Sequence, residues 1–368
     1  MATRRVTLGD RVIGGGAPVL VQTMANADTR DARRAIAQIL SLVAAGAEAV
    51  RVAVPDERAA EALREIVPAS PAPIIADVHF KAQLAVLAIQ NGASGVRINP
   101  GNIGGPARVR AIAEAAGKAG AALRVGVNSG SLDREIAQKY GRGPEAMVES
   151  ALKEIRAVEE TGFRNLKVSL KASSVRDTVA AARLFASRSD IPQHLGVTEA
   201  GDLIAGVAKS AVAMGILLSE GVGDTIRVSL TAPPEEEVEA AWAILRALGL
   251  RRRGVEFISC PTCGRTEIDL AGLLKDVKKR LADLRAPLKI AVMGCVVNGP
   301  GEAREADLGV AGGRGKGSLF VKGERISSHP FAELAPALEN WARRLAAEWE
   351  EKGARISPAG DAASRRDL

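Results

Sequence analysis

The sequence predicts a (β/α)8 TIM-type barrel followed by a smaller α+β domain, and three observations carry that reading. Between about residues 18 and 249 a short Val/Ile-rich strand, a polar or glycine-containing loop and an Ala/Leu-rich helical stretch recur eight times. All three cysteines lie beyond that region, among further strand and helix patterns. The length of 368 residues suits one large barrel with an appended domain, at roughly 150 residues per domain.

The predicted barrel strands are Val19–Met24, Ala49–Val54, Ile74–Phe80, Gly95–Asn99, Leu123–Asn128, Leu166–Lys171, Leu195–Thr198 and Ile226–Leu230. Helical patterns between and after them cover Arg30–Ala44, Asp56–Ile66, Lys81–Gln90, Pro106–Lys118, Pro144–Glu160, Val175–Arg188, Asp202–Leu218 and Pro234–Leu248. An open doubly wound sheet is the alternative. Even spacing of the units, with no glycine fingerprint after the first strand, favours closure.

Period-two reading of the strands puts polar residues in one phase. Arg51, Asp77 with His79, Arg97 with Asn99, Arg124 with Asn128, Lys167 with Ser169 and Lys171, and Arg227 with Ser229 share the inward face, while valines, isoleucines and leucines face the helices. Six of these are cations, and Asp77 is the one clear carboxylate in phase with them. Internal ion pairs are the ordinary explanation for a single buried Arg, but one aspartate cannot neutralise six cations. Unpaired buried charge costs several kcal/mol per ion. A polyanionic small molecule at the barrel mouth, most simply a diphosphate, removes the conflict, and Arg suits bidentate phosphate contacts.

Composition agrees. Hydrophobic residues at 47% and charged residues at 25% describe a globular chain. Apolar runs break before the ~18 residues of a membrane span, and no cationic-then-apolar leader opens the chain, so a cytoplasmic protein is expected. The net charge of +7 calls for an anionic partner. With only six Phe, three Trp and one Tyr, base-stacking platforms are scarce, which argues against nucleic acid.

Two loops at strand ends look chemical. Asn99 to Gly104 leads into a helix N-terminus suited to phosphate oxygens. His194 to Glu199 ends the seventh strand, with Glu199 out of phase with Thr198 and so on the loop. Glu199 has a lesser alternative as a helix-capping or surface carboxylate, and His79 and His194 read equally as structural hydrogen-bonding groups.

Arg251-Arg252-Arg253-Gly254 reads as a solvated linker to a second domain covering 251–352. There Cys260 and Cys263 form a CxxC after the predicted strand Val255–Ser259, and Cys295 follows the strand Lys289–Met293, with a helix over about Glu267–Leu284 between. Three thiols in a chain without an export signal are not a disulfide framework. A redox dithiol needs no third thiolate, and a structural zinc wants a fourth Cys or His, whereas no His occurs before His329. A [4Fe–4S] cluster on three thiolates, with Glu302 as the nearest further donor, is favoured by this chemistry, and zinc remains open. Gly312 to Gly317 reads as a hairpin turn rather than a phosphate loop, Phe331–Glu351 as an amphipathic helix, and 353–368 as a disordered tail.

These cysteine segments, Cys260-Pro261-Thr262-Cys263-Gly264-Arg265 and Met293 to Ala303, resemble the cluster-binding signature of the 4-hydroxy-3-methylbut-2-en-1-yl diphosphate synthase family. Val21 to Met24, Ala76 to Phe80, Arg97 to Gly104, Arg124 to Ser131, Lys167 to Ser173, His194 to Gly201 and Ser219 through Leu230 resemble it as well, so the similarity covers roughly residues 3–350. No extra domain lies between barrel and cysteines, as in the two-domain bacterial form.

The resemblance implies reductive ring opening and dehydration of 2-C-methyl-D-erythritol 2,4-cyclodiphosphate to 4-hydroxy-3-methylbut-2-enyl diphosphate, in the non-mevalonate isoprenoid pathway. It implies one [4Fe–4S] cluster per chain on Cys260, Cys263, Cys295 and Glu302. Substrate would lie among Arg51, Asp77, His79, Arg97, Asn99, Arg124, Asn128, Lys167, Ser169, Lys171, Thr198, Arg227, Ser229 and Asn298, with Glu199 as proton donor and His194 nearby. Flavodoxin or ferredoxin would supply electrons, and the assembly would be a head-to-tail homodimer with composite sites. The competing reading is a non-redox barrel enzyme on a phosphorylated substrate, with a structural zinc on the cysteines.

Overall fold

The computed structural model describes residues 2–98, 103, 105–132 and 134–355. The chain divides into two compact units, Met1–Arg251 and Arg252–Leu368.

The first unit opens with a hairpin, β1 (Val6–Leu8) and β2 (Arg11–Ile13). Eight parallel strands follow: β3 (Leu20–Met24), β4 (Ala49–Ala53), β5 (Ile74–Asp77), β6 (Gly95–Ile98), β7 (Ala122–Asn128), β8 (Leu166–Lys171), β9 (His194–Leu195) and β10 (Thr225–Ile226). Their order is β8-β7-β6-β5-β4-β3-β10-β9. A bridge from Val168 to Gln193, with Val168 N–H donating to Pro192 O at 2.9 Å, joins the two ends of the sheet. The expected barrel is therefore present. Side chains of Asp31, Asp56, Ser174 and Asp202 cap helix N-termini that follow strands, which stops each strand and starts the helix at a defined residue.

The barrel interior changes character along its axis. Leu20, Ala49, Ile75 and Ala122 form an apolar bottom layer, and Val6, Leu8 and Ile13 of the hairpin pack against it. Gly95 belongs to this layer because a Cβ there would lie 2.8 Å from Leu8 Cδ1. Two residues further up each strand, the same inward phase carries Gln22, Arg51, Asp77, Arg97 and Arg124. Val50, Val52, Val96, Val125 and Val168 point outward into the main core under the helices.

The last two strands are shorter than expected, ending at Leu195 and Ile226 rather than Thr198 and Leu230. Their backbone donors are diverted: Thr198 N–H goes to Ala172 O, Thr231 N–H to Gly201 O, and Leu230 N–H to the Glu237 carboxylate. A helix over Arg134–Tyr140 was not expected. Arg251 departs from the solvated-linker reading. Its guanidinium donates to Glu48 and to Val19 O and stacks 4.7 Å from the Trp242 ring centroid.

The second unit is a five-stranded sheet, β11 (Glu256–Ser259), β12 (Lys289–Met293), β13 (Leu308–Gly313), β14 (Lys316–Val321) and β15 (Glu324–Pro330), in that order. The first three strands are parallel, and β14 and β15 are antiparallel additions. Ile290 and Val292 face the helices Leu270–Arg280 and Leu334–Arg355. Asp269 caps the first of these at Gly272 N–H, which is why it starts three residues after Glu267. The expected turn lies between β13 and β14. The long C-terminal helix runs through Arg355, past the expected boundary at 353, and 356–368 lie outside the described residues. Among the described residues no helix is long and apolar enough to cross a membrane.

If the hairpin seals the barrel base, Leu8→Ala should lower stability by about 2–5 kcal/mol, read from urea unfolding of the whole chain. A loss below about 1 kcal/mol would show that the plug contributes little.

Candidate functional site in the barrel mouth

The inward polar residues meet at the C-terminal ends of the strands. Register puts Asp77 beside Arg97, Arg97 beside Arg124, and Arg124 beside Lys167. Asp77 lies 3.5 Å from Arg51 Nε and 3.4 Å from Arg97 Nη1. Burial opposes its ionisation, but hydrogen bonding to His79 and the charges of Arg51, Arg97 and Arg124 outweigh it and hold the carboxyl below the usual carboxylate range. His79 stands on the loop beyond β5, where Arg97 Nη1 donates to its Nδ1 at 3.0 Å. Gly126 makes room for this arginine, since a Cβ there would sit 2.9 Å from Arg97 Nε.

Charge remains uncompensated deeper in. Arg124 is buried, and among the described residues its Nε and Nη1 have no hydrogen-bond partner, as is also true of Arg97 Nε. Desolvation, with repulsion from Arg51 and Arg97, pushes the Arg124 pKa well down. Lys167 is 1% exposed, and its Nζ donates to Gln22 Oε1 at 3.5 Å. Burial first, then Arg124 and Arg51, lower its pKa to about 7. Arg51, buried between Asp77 and other arginines, falls to about 10.

Lys171 and His194 form a separate buried chain. Lys171 Nζ lies 3.3 Å from His194 Nε2, and His194 Nδ1 lies 2.8 Å from Thr225 Oγ1. Burial and the neighbouring cations push both pKa values well down, so His194 is a neutral imidazole. Glu199 is exposed on the loop after β9 with φ 53°. A left-handed non-glycine residue stores roughly 1–3 kcal/mol of strain, a feature that concentrates at functional sites.

The mouth thus gathers Arg51, Asp77, His79, Arg97, Arg124, Lys167, Ser169, Lys171 and Arg227. Asn128 closes β7, and Thr198 and Ser229 are half-buried on the loops after β9 and β10. Asn99, and the loop to Gly104 apart from Ile103, lie outside the described residues. The count of one carboxylate needs correction. Glu237, from the helix Pro234–Ala247, is 3% exposed and pairs with Arg227 Nε at 3.1 Å. Strand phase could not find it because it is not on a strand. Helical spacing could have, since Glu237 shares a face with the buried Ala240, Ala241 and Ile244. With Asp224, whose buried charge acts on Lys167, six cations face three carboxylates among the described residues.

In the second unit Cys260 directly follows β11 and Cys295 closely follows the adjacent β12. Gly294 N–H donates to Cys260 Sγ at 3.4 Å, and Glu267 N–H to Gly294 O at 3.0 Å, so the two cysteine loops are hydrogen-bonded to one another. Hydrogen bonds from Arg265, backbone then side chain, lower the exposed Cys263 thiol. Glu302 lies exposed in the short helix Gly299–Arg304, which Asn298 precedes. Among the described residues no three His, Cys, Asp or Glu side chains converge on a metal-binding position. In kind, three thiols and a nearby carboxylate fit an iron–sulfur cluster, and the N–H to Cys260 Sγ contact suits a thiolate.

Fold and site together define a TIM-barrel enzyme with a cationic mouth for a small polyanion and an appended cysteine-bearing domain. The chain belongs to the GcpE family: the GcpE TIM-barrel domain matches residues 3–242 and the GcpE protein C-terminal domain matches 256–344. It is 57% identical to the 4-hydroxy-3-methylbut-2-en-1-yl diphosphate synthase (flavodoxin) of Lawsonia intracellularis, over 89% of this chain and 91% of that one. Identity to the Geobacter sulfurreducens protein of the same name is 53%, over 94% and 98%. Among solved structures, dihydropteroate synthase from Stenotrophomonas maltophilia matches with a TM-score of 0.50 at 16% identity, covering 67% of this chain and 98% of that one. A truncated 3-deoxy-D-arabino-heptulosonate 7-phosphate synthase from Thermotoga maritima also gives 0.50, at 14% identity over 68% and 94%. Both show the barrel alone.

Lys167 supplies a test of the anion reading. Its folded pKa lies below its unfolded value, so the buried amine costs stability as pH falls from about 10 to 7, and the full cost persists below 7. Lys167→Met should therefore stabilise the metal-free protein by about 1–4 kcal/mol at pH 6 and by less near pH 10, while weakening pyrophosphate binding at least about tenfold. Unfolding at the two pH values, with calorimetric titration, checks both. Destabilisation at pH 6 would mean that Lys167 is satisfied within the fold.

Proposed function

We propose that the chain is a cytoplasmic iron–sulfur oxidoreductase that opens the ring of 2-C-methyl-D-erythritol 2,4-cyclodiphosphate and removes water, giving 4-hydroxy-3-methylbut-2-enyl diphosphate in the non-mevalonate pathway. The observation that carries the reading is the buried Arg124, whose Nε and Nη1 lack partners among the described residues, inside a mouth where those residues hold more cations than carboxylates. Family membership and the names of the relatives support the same reaction.

Arg51, Arg97, Arg124 and Lys167 would bind the cyclic diphosphate, with Asp77 holding the arginine pair in place. Asn99, Asn128, Ser169, Lys171, Thr198, Arg227 and Ser229 would complete its contacts, as would Asn298 from the second unit. Glu199, exposed and strained, would present the proton for the departing hydroxyl. His194, neutral and tied to Thr225, would hold Lys171 rather than donate a proton itself. Cys260, Cys263, Cys295 and Glu302 would hold one [4Fe–4S] cluster. When bound, the cluster supplies the two reducing electrons, drawn from flavodoxin or ferredoxin.

The assembly proposed with this reaction is a head-to-tail homodimer with composite sites, as the resemblance to the family implies.

Anaerobic reconstitution with iron and sulfide should give a brown protein that consumes the cyclodiphosphate with a strong one-electron reductant. Cys295→Ser should lose cluster absorbance and activity while keeping the far-UV signal of the wild type. A colourless protein that holds zinc and unfolds more readily on Cys295→Ser would favour the structural-zinc reading and sink this one.

A further inference from the structure

Glu237 is the inward-turning member of the Glu235–Glu236–Glu237 run, and its two oxygens accept four hydrogen bonds. Oε2 accepts from Arg227 Nε at 3.1 Å and Thr23 Oγ1 at 3.2 Å, and Oε1 from Arg227 Nη2 at 3.1 Å and Leu230 N–H at 3.0 Å. One edge of the Arg227 guanidinium is thus fully engaged. Its remaining nitrogen, Nη1, points at Met24 Sδ at 3.7 Å, the same sulfur that Arg51 approaches with Nη2 at 3.0 Å and Nε at 3.2 Å. A thioether is a weak acceptor. Arg51 of β4 and Arg227 just past β10 therefore aim at one point beside which a phosphate oxygen would be a better acceptor.

We propose that Glu237 is a positioning residue that aims Arg227, together with Arg51, at a shared phosphate-oxygen position beside Met24. Arg227 and Arg51 repel one another, and without the bidentate carboxylate Arg227 would swing away from Arg51 into solvent. The bond to Leu230 N–H also fixes the loop after β10 to the same carboxylate, so the arginine and the rim of the mouth are set together.

The proposal rests on reading the mouth as a diphosphate site. Calorimetric titration of the metal-free full chain with inorganic pyrophosphate tests it in Glu237→Gln, Glu237→Asp, Arg227→Lys and the Glu237→Gln/Arg227→Lys double variant. Simple electrostatics predicts tighter binding when Glu237 loses its charge. Positioning predicts the opposite: about tenfold or greater weakening in both Glu237 variants, with no further loss beyond twofold when Glu237→Gln is added to Arg227→Lys. Equal or tighter binding by Glu237→Gln, or the same loss in the Arg227→Lys background, would overturn it. Should Glu237→Gln melt below the working temperature, Glu237→Asp decides, since it keeps the charge but draws back from Arg227. A wild type that ignores pyrophosphate fails the diphosphate reading itself, a different result from binding that is indifferent to Glu237.

Discussion

Charge confined in a closed barrel governs this structure. Below the cations, the β1–β2 hairpin and the apolar layer of Leu20, Ala49, Ile75 and Ala122 shut out water. Around them, the outward valines of the same strands pack under helices. Arg97, Arg124, Lys167 and Lys171 can then be solvated only from the mouth, and all are buried even there. The depressed pKa values of Lys167, Lys171 and Arg124, the neutral His194 and the partnerless guanidinium nitrogens are expressions of one constraint. The free protein holds a surplus of positive charge at a cost that an anion offsets on binding.

The two carboxylates manage that surplus differently. Asp77 sits on a strand between Arg51 and Arg97, so it lowers the local potential while leaving both guanidinia facing inward. Glu237 comes from a helix and takes one arginine bidentately, which converts Arg227 from a diffuse charge into a directed donor. An additional carboxylate in the layer of Arg124 and Lys167 would have satisfied the interior and removed the driving force for ligand. Among the described residues, Asp77 and Asp224 are the carboxylates that act on Arg124 and Lys167, too few for the charge there, and that is where the unpartnered atoms lie.

Strand phase made the site readable from sequence because a barrel turns period two directly into inside and outside. Arg51, Asp77, Arg97, Arg124, Lys167 and Lys171 all follow it. The reading weakened wherever function departed from strand geometry. β9 and β10 end early because Glu237 and the loop carbonyls claim their backbone donors, an arrangement among residues distant in sequence. Glu237 was hidden for the same reason, on a helix whose acidic first turn looks solvent-facing. Arg251 resembles a linker charge until Glu48 and Trp242, some two hundred and nine residues away respectively, are seen around it. The cysteines were legible as donors through spacing alone, whereas their placement on neighbouring strand ends required the β11–β12 pairing.

Proton supply follows from the same electrostatics. A donor to a departing hydroxyl must be protonated when needed and able to reach the substrate. Asp77 fails on the first count, since His79 and three arginines keep it ionised. His194 is less suited: burial first, then the cations around it, lower its pKa, and Lys171 and Thr225 engage its two nitrogens inside the barrel. Glu237 has its oxygens occupied by Arg227, Thr23 and Leu230. Glu199 and His79 stand exposed on loops after the barrel strands, Glu199 held at φ 53°. For the proposed reaction, the buried charge that would select the anion points to the rim as the place of proton supply.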